Sequence, residues 1–131
     1  LEEKFSGQGF HVLGFMSDDF GMQGGTSQQI QACDGKYGIT YPEFPIEHVV
    51  GPDAEPVFAW IEAQPNPGPS AVLDPTWNFH KYLISRAGEL VGSWDTTVYP
   101  GMDPNDPSSM FDTNPIVVAI EAELAKPVPP P

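Results

Sequence analysis

Two short runs in this chain combine residue types that can hold or stabilise charge, and one residue can attack. Trp77-Asn78 pairs an indole N–H with a side-chain amide, two neutral donors suited to an anion. Asp18-Asp19 sets two carboxylates at the end of an apolar run, where ionised oxygens accept hydrogen bonds and do not donate them. Cys33 is the one cysteine, and as a thiolate it would be a nucleophile. Each has a plain structural alternative. Trp77 and Phe79 share one face of a strand opposite Asn78, which suits core aromatics beside a turn-capping Asn equally well. Asp18-Asp19 can be a turn, and a lone cysteine is commonly a small buried hydrophobe.

Other motifs carry less. His11, His48 and His80 have no metal-ligand spacing and are expected on the surface or in a sheet. Gly7-x-Gly9 precedes the first apolar run, whereas a dinucleotide loop follows a strand. Asp103-Pro-Asn105-Asp106, with Asp112 beyond, has Pro107 where a calcium loop needs an oxygen ligand, so a solvated loop is expected. No cofactor and no metal are therefore expected. The 18 acidic residues against 5 basic ones give a net charge of -13, which argues against nucleic acid and against an anionic membrane surface as partners. No apolar run is long enough to span a bilayer, and no signal-peptide pattern opens the chain, which favours the cytoplasm. A single cysteine excludes an internal disulfide and a cysteine-based zinc cluster. The 131 residues suit one domain, expected over 1–126, with a Pro-rich tail at 127–131.

The elements that must position these groups read as an α/β domain with helices on a small sheet. Residues 1–8 look like the last turns of a helix, with Leu1 and Phe5 spaced i, i+4 and Gly7 as the stop. Phe10–Phe15 is nearly continuous apolar residues, the mark of a parallel strand buried on both faces. Thr26 or Ser27 caps a helix to about Lys36. Tyr41–Pro45 is held extended by its prolines. Asp53-Ala-Glu-Pro56 opens a helix closed by Pro65. Phe79–Ser85 and Glu89–Asp95 read as a hairpin around Arg86-Ala87-Gly88. Asn114-Pro115 starts a helix through Lys126, with Ile116, Val117, Ile120 and Leu124 on its apolar side.

Taken in order, five blocks resemble the glutathione peroxidase family. Phe10-x-Val12-Leu13-Gly14-Phe15, then Asp18-Asp19-Phe20-Gly21-x-Gln23, resembles V-L-G-F-P-C-N-Q-F-G-x-Q-E-P. Cys33-x-x-Lys36-Tyr37-Gly38-Ile39-Thr40-Tyr41-Pro42 is similar to C-x-x-K-Y-G-V-T-F-P. Glu55-Pro56-Val57-Phe58 is similar to H-P-L-F, and Trp77-Asn78-Phe79-x-Lys81-Tyr82-Leu83-Ile84-Ser85-Arg86-x-Gly88 to W-N-F-x-K-F-L-V-D-R-x-G. Thr96-Thr97 follows at the matching distance. The resemblance implies a thioredoxin-like fold and reduction of hydroperoxides by a cysteine or selenocysteine, recycled by a thiol. It implies that Trp77 and Asn78 are two of the donors that stabilise the attacking anion. The third donor, a Gln in the family, falls on Asp19, whose ionised carboxylate would raise a neighbouring thiolate's pKa.

The resemblance also implies that the loop bearing the attacking residue belongs before the helix that ends near Phe5. The 131 residues are then expected to be an N-terminally truncated domain, inactive alone, because Cys33 aligns with the resolving cysteine of thioredoxin-dependent members. The short connection from Gln64 to Thr76 and the scarcity of cations favour a thioredoxin-type reductant over glutathione. A second reading, a non-catalytic member acting as a binding module, follows from Asp18-Asp19 and the missing nucleophile. The family sheet would place an absent strand between the Phe10–Phe15 and Phe79–Ser85 strands. Either those two strands pair directly or another copy covers them, a homodimer being the preferred repair.

Overall fold

The computed structural model describes residues 1–20, 40–103 and 105–129. The expected helix from residue 26 or 27 to 36, and Cys33 with it, lie outside the described residues. The chain divides into two compact units, Glu2–Ala59 in one and Leu1 with Trp60–Pro131 in the other.

In the first unit, α1 is Glu2–Phe5, continued by a 3-10 turn over Ser6–Gln8. The stop is Gly9, not Gly7: Gly9 takes φ 91, and its N–H donates to Ser6 O at 3.0 Å. The Glu2 carboxylate folds over the following segment, accepting the Val12 N–H at 2.7 Å and facing His11 Nδ1 at 3.1 Å. Those partners, the Val12 N–H foremost, hold its pKa below the ordinary value.

The apolar run does enter a parallel pair, but only Gly14–Phe15 (β1) is strand, matched to Glu43–Phe44 (β2). Pro42 and Pro45 bracket β2, and neither has an N–H to extend the ladder. Burial on both faces does not follow, since Leu13 is 51% exposed and Phe15 half-buried. Phe15 instead stacks on Phe44 (4.5 Å, 5°) and meets Phe58 edge-on at 5.2 Å. Among the described residues of this unit Phe5, Val49 and Phe58 are the buried apolar side chains.

Helix α2, Pro56–Glu62, carries the chain from one unit into the other. Glu55 caps it, its Oε2 accepting the Val57 N–H at 3.2 Å. The second unit holds an antiparallel hairpin of β3 (Lys81–Ile84) and β4 (Leu90–Trp94), with Lys81 opposite Trp94 and a bulge between Leu83 and Ile84. Gly88 supplies the φ of 79 that the turn requires. On β4's other side, Ser93 exchanges both backbone bonds with the 68–70 connection: Ser70 N to Ser93 O at 2.8 Å, and Ser93 N to Gly68 O at 3.0 Å.

Helix α3 is Pro115–Leu124. Asn114 caps it, Oδ1 accepting the N–H groups of Ile116 and Val117. Ile116, Val117 and Ile120 are buried and Leu124 is half-buried, as the 3.6-residue period requires. Ile61, Leu83 and Trp94 complete the buried apolar set of this unit. Among the described residues β1 pairs with β2 and β3 with β4; direct pairing of the Phe10–Phe15 and Phe79–Ser85 strands, the less favoured of the two expected repairs, is not among these ladders. Both strands are shorter than the apolar runs that announced them, and each pairs with a different neighbour.

Candidate functional site

Trp77-Asn78-Phe79 is not the beginning of a strand. The three residues form a turn, and Phe79 has φ 60, a left-handed conformation that a bulky side chain adopts only under constraint. The face alternation expected of a strand therefore does not apply, and β3 starts two residues later than the apolar pattern suggests. Trp77 is 54% exposed, Phe79 79% exposed and Asn78 half-buried. The core-aromatic alternative fails on these numbers.

The base of the turn is pinned to the hairpin. Lys81 Nζ donates to the carbonyls of Asp95 (3.3 Å) and Val98 (2.6 Å), and burial lowers its pKa. The Tyr82 hydroxyl donates to Leu73 O, and burial raises its pKa. Asp95 accepts the backbone N–H of Thr97 at 2.9 Å and its hydroxyl as well.

His80 leaves the turn inward. Its Nε2 lies 2.9 Å from the Oγ of the fully buried Ser93, its ring stacks on Tyr82 at 4.6 Å, and its Nδ1 is buried with no described partner. Burial, opposed by Asp95 and aided by Lys81, holds its pKa below the ordinary 6.5. The unfolded chain then binds more protons than the folded one as the pH falls through that value, so acid weakens this unit. Urea midpoints on either side of pH 6.5 are expected to show a steeper acid loss for the native chain than for His80→Asn. Equal slopes would show that His80 does not titrate with folding.

Phe79→Gly is expected to be neutral or to stabilise by up to ~1 kcal/mol, since relief of the left-handed strain offsets glycine's larger unfolded-state entropy. Clear destabilisation in urea titration would mean that the exposed ring does structural work.

The second expected group, Asp18-Asp19, lies in the other unit at the carboxyl ends of β1 and β2, where sites of α/β sheets gather. Asp19 ties two segments together. Oδ1 meets His48 Nδ1 at 2.7 Å, and Oδ2 accepts the N–H groups of Val49 (2.8 Å) and Val50 (3.3 Å). The His48 bond first, then that of Val49, holds its pKa below the ordinary range. Asp19 is therefore an acceptor with both oxygens engaged, unlike the amide donor that the resemblance implies at this position.

Asp18, Asp19, Ile46, Glu47 and His48 line an open groove of about 320 Å³. Of the surface and sheet placements expected for the histidines, His48 takes the first, exposed and outside any strand. Its pairing with Asp19 spans 29 residues and has no local signal in the sequence. Among the described residues no group of three or more His, Cys, Asp or Glu is placed to hold a metal. Asp103 and Asp106 close local turns instead, accepting from Asn105 N and Ser108 N. No helix among the described residues is long and apolar enough to cross a membrane.

Comparison with known proteins completes the assignment. The crystal structure of Trgpx in apo form matches with a TM-score of 0.63 and 26% identity, over 97% of this chain and 67% of that one. The fold is thus of the thioredoxin-like α/β class. A hydroperoxy fatty acid reductase of Synechocystis sp. is 36% identical over 107 residues, covering 76% of this chain and 63% of the relative. A glutathione peroxidase-like peroxiredoxin of Schizosaccharomyces pombe is 30% identical over 113 residues, covering 85% of this chain and 70% of the relative. Human glutathione peroxidase 7 is 37% identical over 91 residues, covering 68% and 46%. No family model matches. The chain belongs to the glutathione peroxidase family, and it spans about two thirds of the length of the first two relatives and under half of the third.

Proposed function

We propose that this chain serves the thiol-dependent reduction of hydroperoxides, with Trp77 and Asn78 as donors to an attacking thiolate or selenolate that the 131 residues do not themselves supply. The observation that carries the reading is the exposed Trp77 indole in the turn where Phe79 takes φ 60, beside a hairpin fixed by Lys81 and Tyr82. Neutral donors aimed at an anion lower its pKa and stabilise charge as the O–O bond breaks. The relatives' names, a hydroperoxy fatty acid reductase and a peroxiredoxin, agree with that chemistry. Cys33 is the candidate resolving cysteine. A thioredoxin-type reductant is preferred to glutathione, because Lys81 is spent on carbonyl oxygens and Lys126 on Glu123 at 2.7 Å.

A non-catalytic, binding role is the second reading, favoured by Asp19: its carboxylate is wholly engaged as an acceptor where a donor is needed. Genomic sequence upstream of the Leu1 codon separates the two. An in-frame Cys or TGA codon within a strand–loop pattern supports catalysis, and an unrelated upstream region supports binding alone.

The isolated chain is expected to show no turnover above background in a coupled assay with hydrogen peroxide and either thioredoxin or glutathione. Turnover that Cys33→Ser abolishes would instead make Cys33 the attacking residue.

A further inference from the structure

His80 is a half-buried titratable group that the peroxide-reducing role leaves unused, and it follows directly on the left-handed residue Phe79. Every residue involved lies in the Trp60–Pro131 unit. The His80 ring is held on two sides. Nε2 lies 2.9 Å from Oγ of Ser93, whose backbone is bonded in turn to the 68–70 connection, and the ring face stacks on Tyr82 at 4.6 Å. Nδ1 is buried and has no hydrogen-bond partner among the described residues. A neutral ring fits this place by donating from Nε2 to Ser93 and leaving Nδ1 as a bare lone pair. An imidazolium carries a proton on both nitrogens, and its Nδ1–H would be a buried donor with no described acceptor. The charged groups around the ring do not offset that cost. Lys81 on β3 opposes the charge. Asp95, just past β4, favours it, but its carboxylate already accepts from Thr97. Glu62 and Asp74 act on the stacked Tyr82, and the 68–70 connection brings no titratable group.

Beyond His80 the chain is fixed, because Lys81 Nζ donates to the carbonyls of Asp95 and Val98 and the Tyr82 hydroxyl to that of Leu73. Before it, Phe79 sits at φ 60 and is 79% exposed, so its own ring adds little packing to hold a conformation that bulky side chains rarely adopt. A His80 ring that leaves Ser93 is therefore accommodated by the turn and not by the strand. We propose that neutral His80 is the anchor of the Trp77–Phe79 turn, and that proton uptake by its ring releases the turn while the hairpin stays formed. On release Phe79 leaves the left-handed region, and the Trp77 indole and the Asn78 amide move with it. His80 is thus a positioning residue that holds the two donors together only while it is neutral. The device goes beyond the donor-pair reading and stands whether or not Trp77 and Asn78 serve an anion, because it is read from the turn itself.

Proton–nitrogen spectra of the 131-residue chain, followed from neutral pH downwards, test it. The His80 ring is expected to titrate below 6.5. The Trp77 indole N–H, the Asn78 side-chain amide and the Phe79 backbone amide are expected to shift in one step with the same midpoint. The indole N–H of the buried Trp94 and the backbone amides of β4 are expected to stay in place over that step. His80→Gln keeps an amide donor within reach of Ser93 and cannot titrate. It is expected to retain the turn signals of neutral pH and to lose their pH dependence. Turn signals that stay unmoved while the His80 ring titrates overturn the proposal, and the native chain alone decides that. So do turn signals with a different midpoint, and a pH dependence that survives in His80→Gln. Signals of β4 that move together with the turn overturn it as well, since they mark unfolding of the whole unit and not release of the turn.

Discussion

Replacing Asn114 with alanine is expected to destabilise the protein by about 2–3 kcal/mol. One side chain here works at both ends. Oδ1 accepts the N–H groups of Ile116 and Val117, which no earlier carbonyl of the helix can reach. Nδ2 donates to Tyr99 O (2.6 Å) and Gly101 O (2.9 Å), anchoring the preceding loop to the start of α3. Alanine leaves the two amide groups and the two carbonyls without these partners at the root of the helix that carries Ile116, Val117 and Ile120. Against a total of about 5–15 kcal/mol for a small domain, that is a large share. Asn114→Asp keeps the acceptor and loses the donor, so about half the loss is expected from it. Urea unfolding of the two variants checks this, and equal losses would show that the loop anchor contributes nothing.

Gly92→Ala is expected to cost about 3 kcal/mol, at the upper end for overpacking a core. Gly92 sits in β4 two residues before Trp94, on the same face of the strand. A Cβ built on Gly92 falls 2.2 Å from Cη2 and 2.6 Å from Cζ3 of the Trp94 indole, so the ring must move. Trp94 is only 4% exposed, and the neighbouring Ser93 is held on its far side by the 68–70 connection, so the strand has little room to yield. Loss of near-ultraviolet circular dichroism should accompany the lowered urea midpoint. Trp94→Leu added to Gly92→Ala is expected to recover part of the loss relative to Trp94→Leu alone, because the two changes share one volume. A fully stable Gly92→Ala variant would mean that the indole has another packed orientation.

Much of this architecture is legible in the residues because its signals are local. Asn114-Pro115 announces both the cap and the first turn of α3, and the period of Ile116, Val117 and Ile120 gives its buried face. Gly88 marks the hairpin turn, since its φ of 79 favours glycine. Five ordered blocks identify the family without any coordinates, and Trp77-Asn78 stands out within them. Strand extent was less legible. Phe10–Phe15 reads as six apolar residues of strand, yet a strand is only as long as its partner, and Pro42 and Pro45 cut that partner to two residues.

What the amino-acid sequence determined by itself was most of the described elements, the family and the residue types available to the site. These rest on caps, periodicity and turn residues, each acting within a few positions. Only the tertiary structure decided how two of those residues are used. Phe79 enters the left-handed region and Trp77 is exposed, although the local pattern reads as strand, next to a hairpin that Lys81 and Tyr82 tie to carbonyls 9 to 17 residues away. Asp19 becomes an acceptor for His48, Val49 and Val50 rather than a donor, because the parallel pairing of β1 with β2 places the ends of both strands side by side. A hydrogen bond across 29 residues depends on that pairing and leaves no trace in spacing or composition.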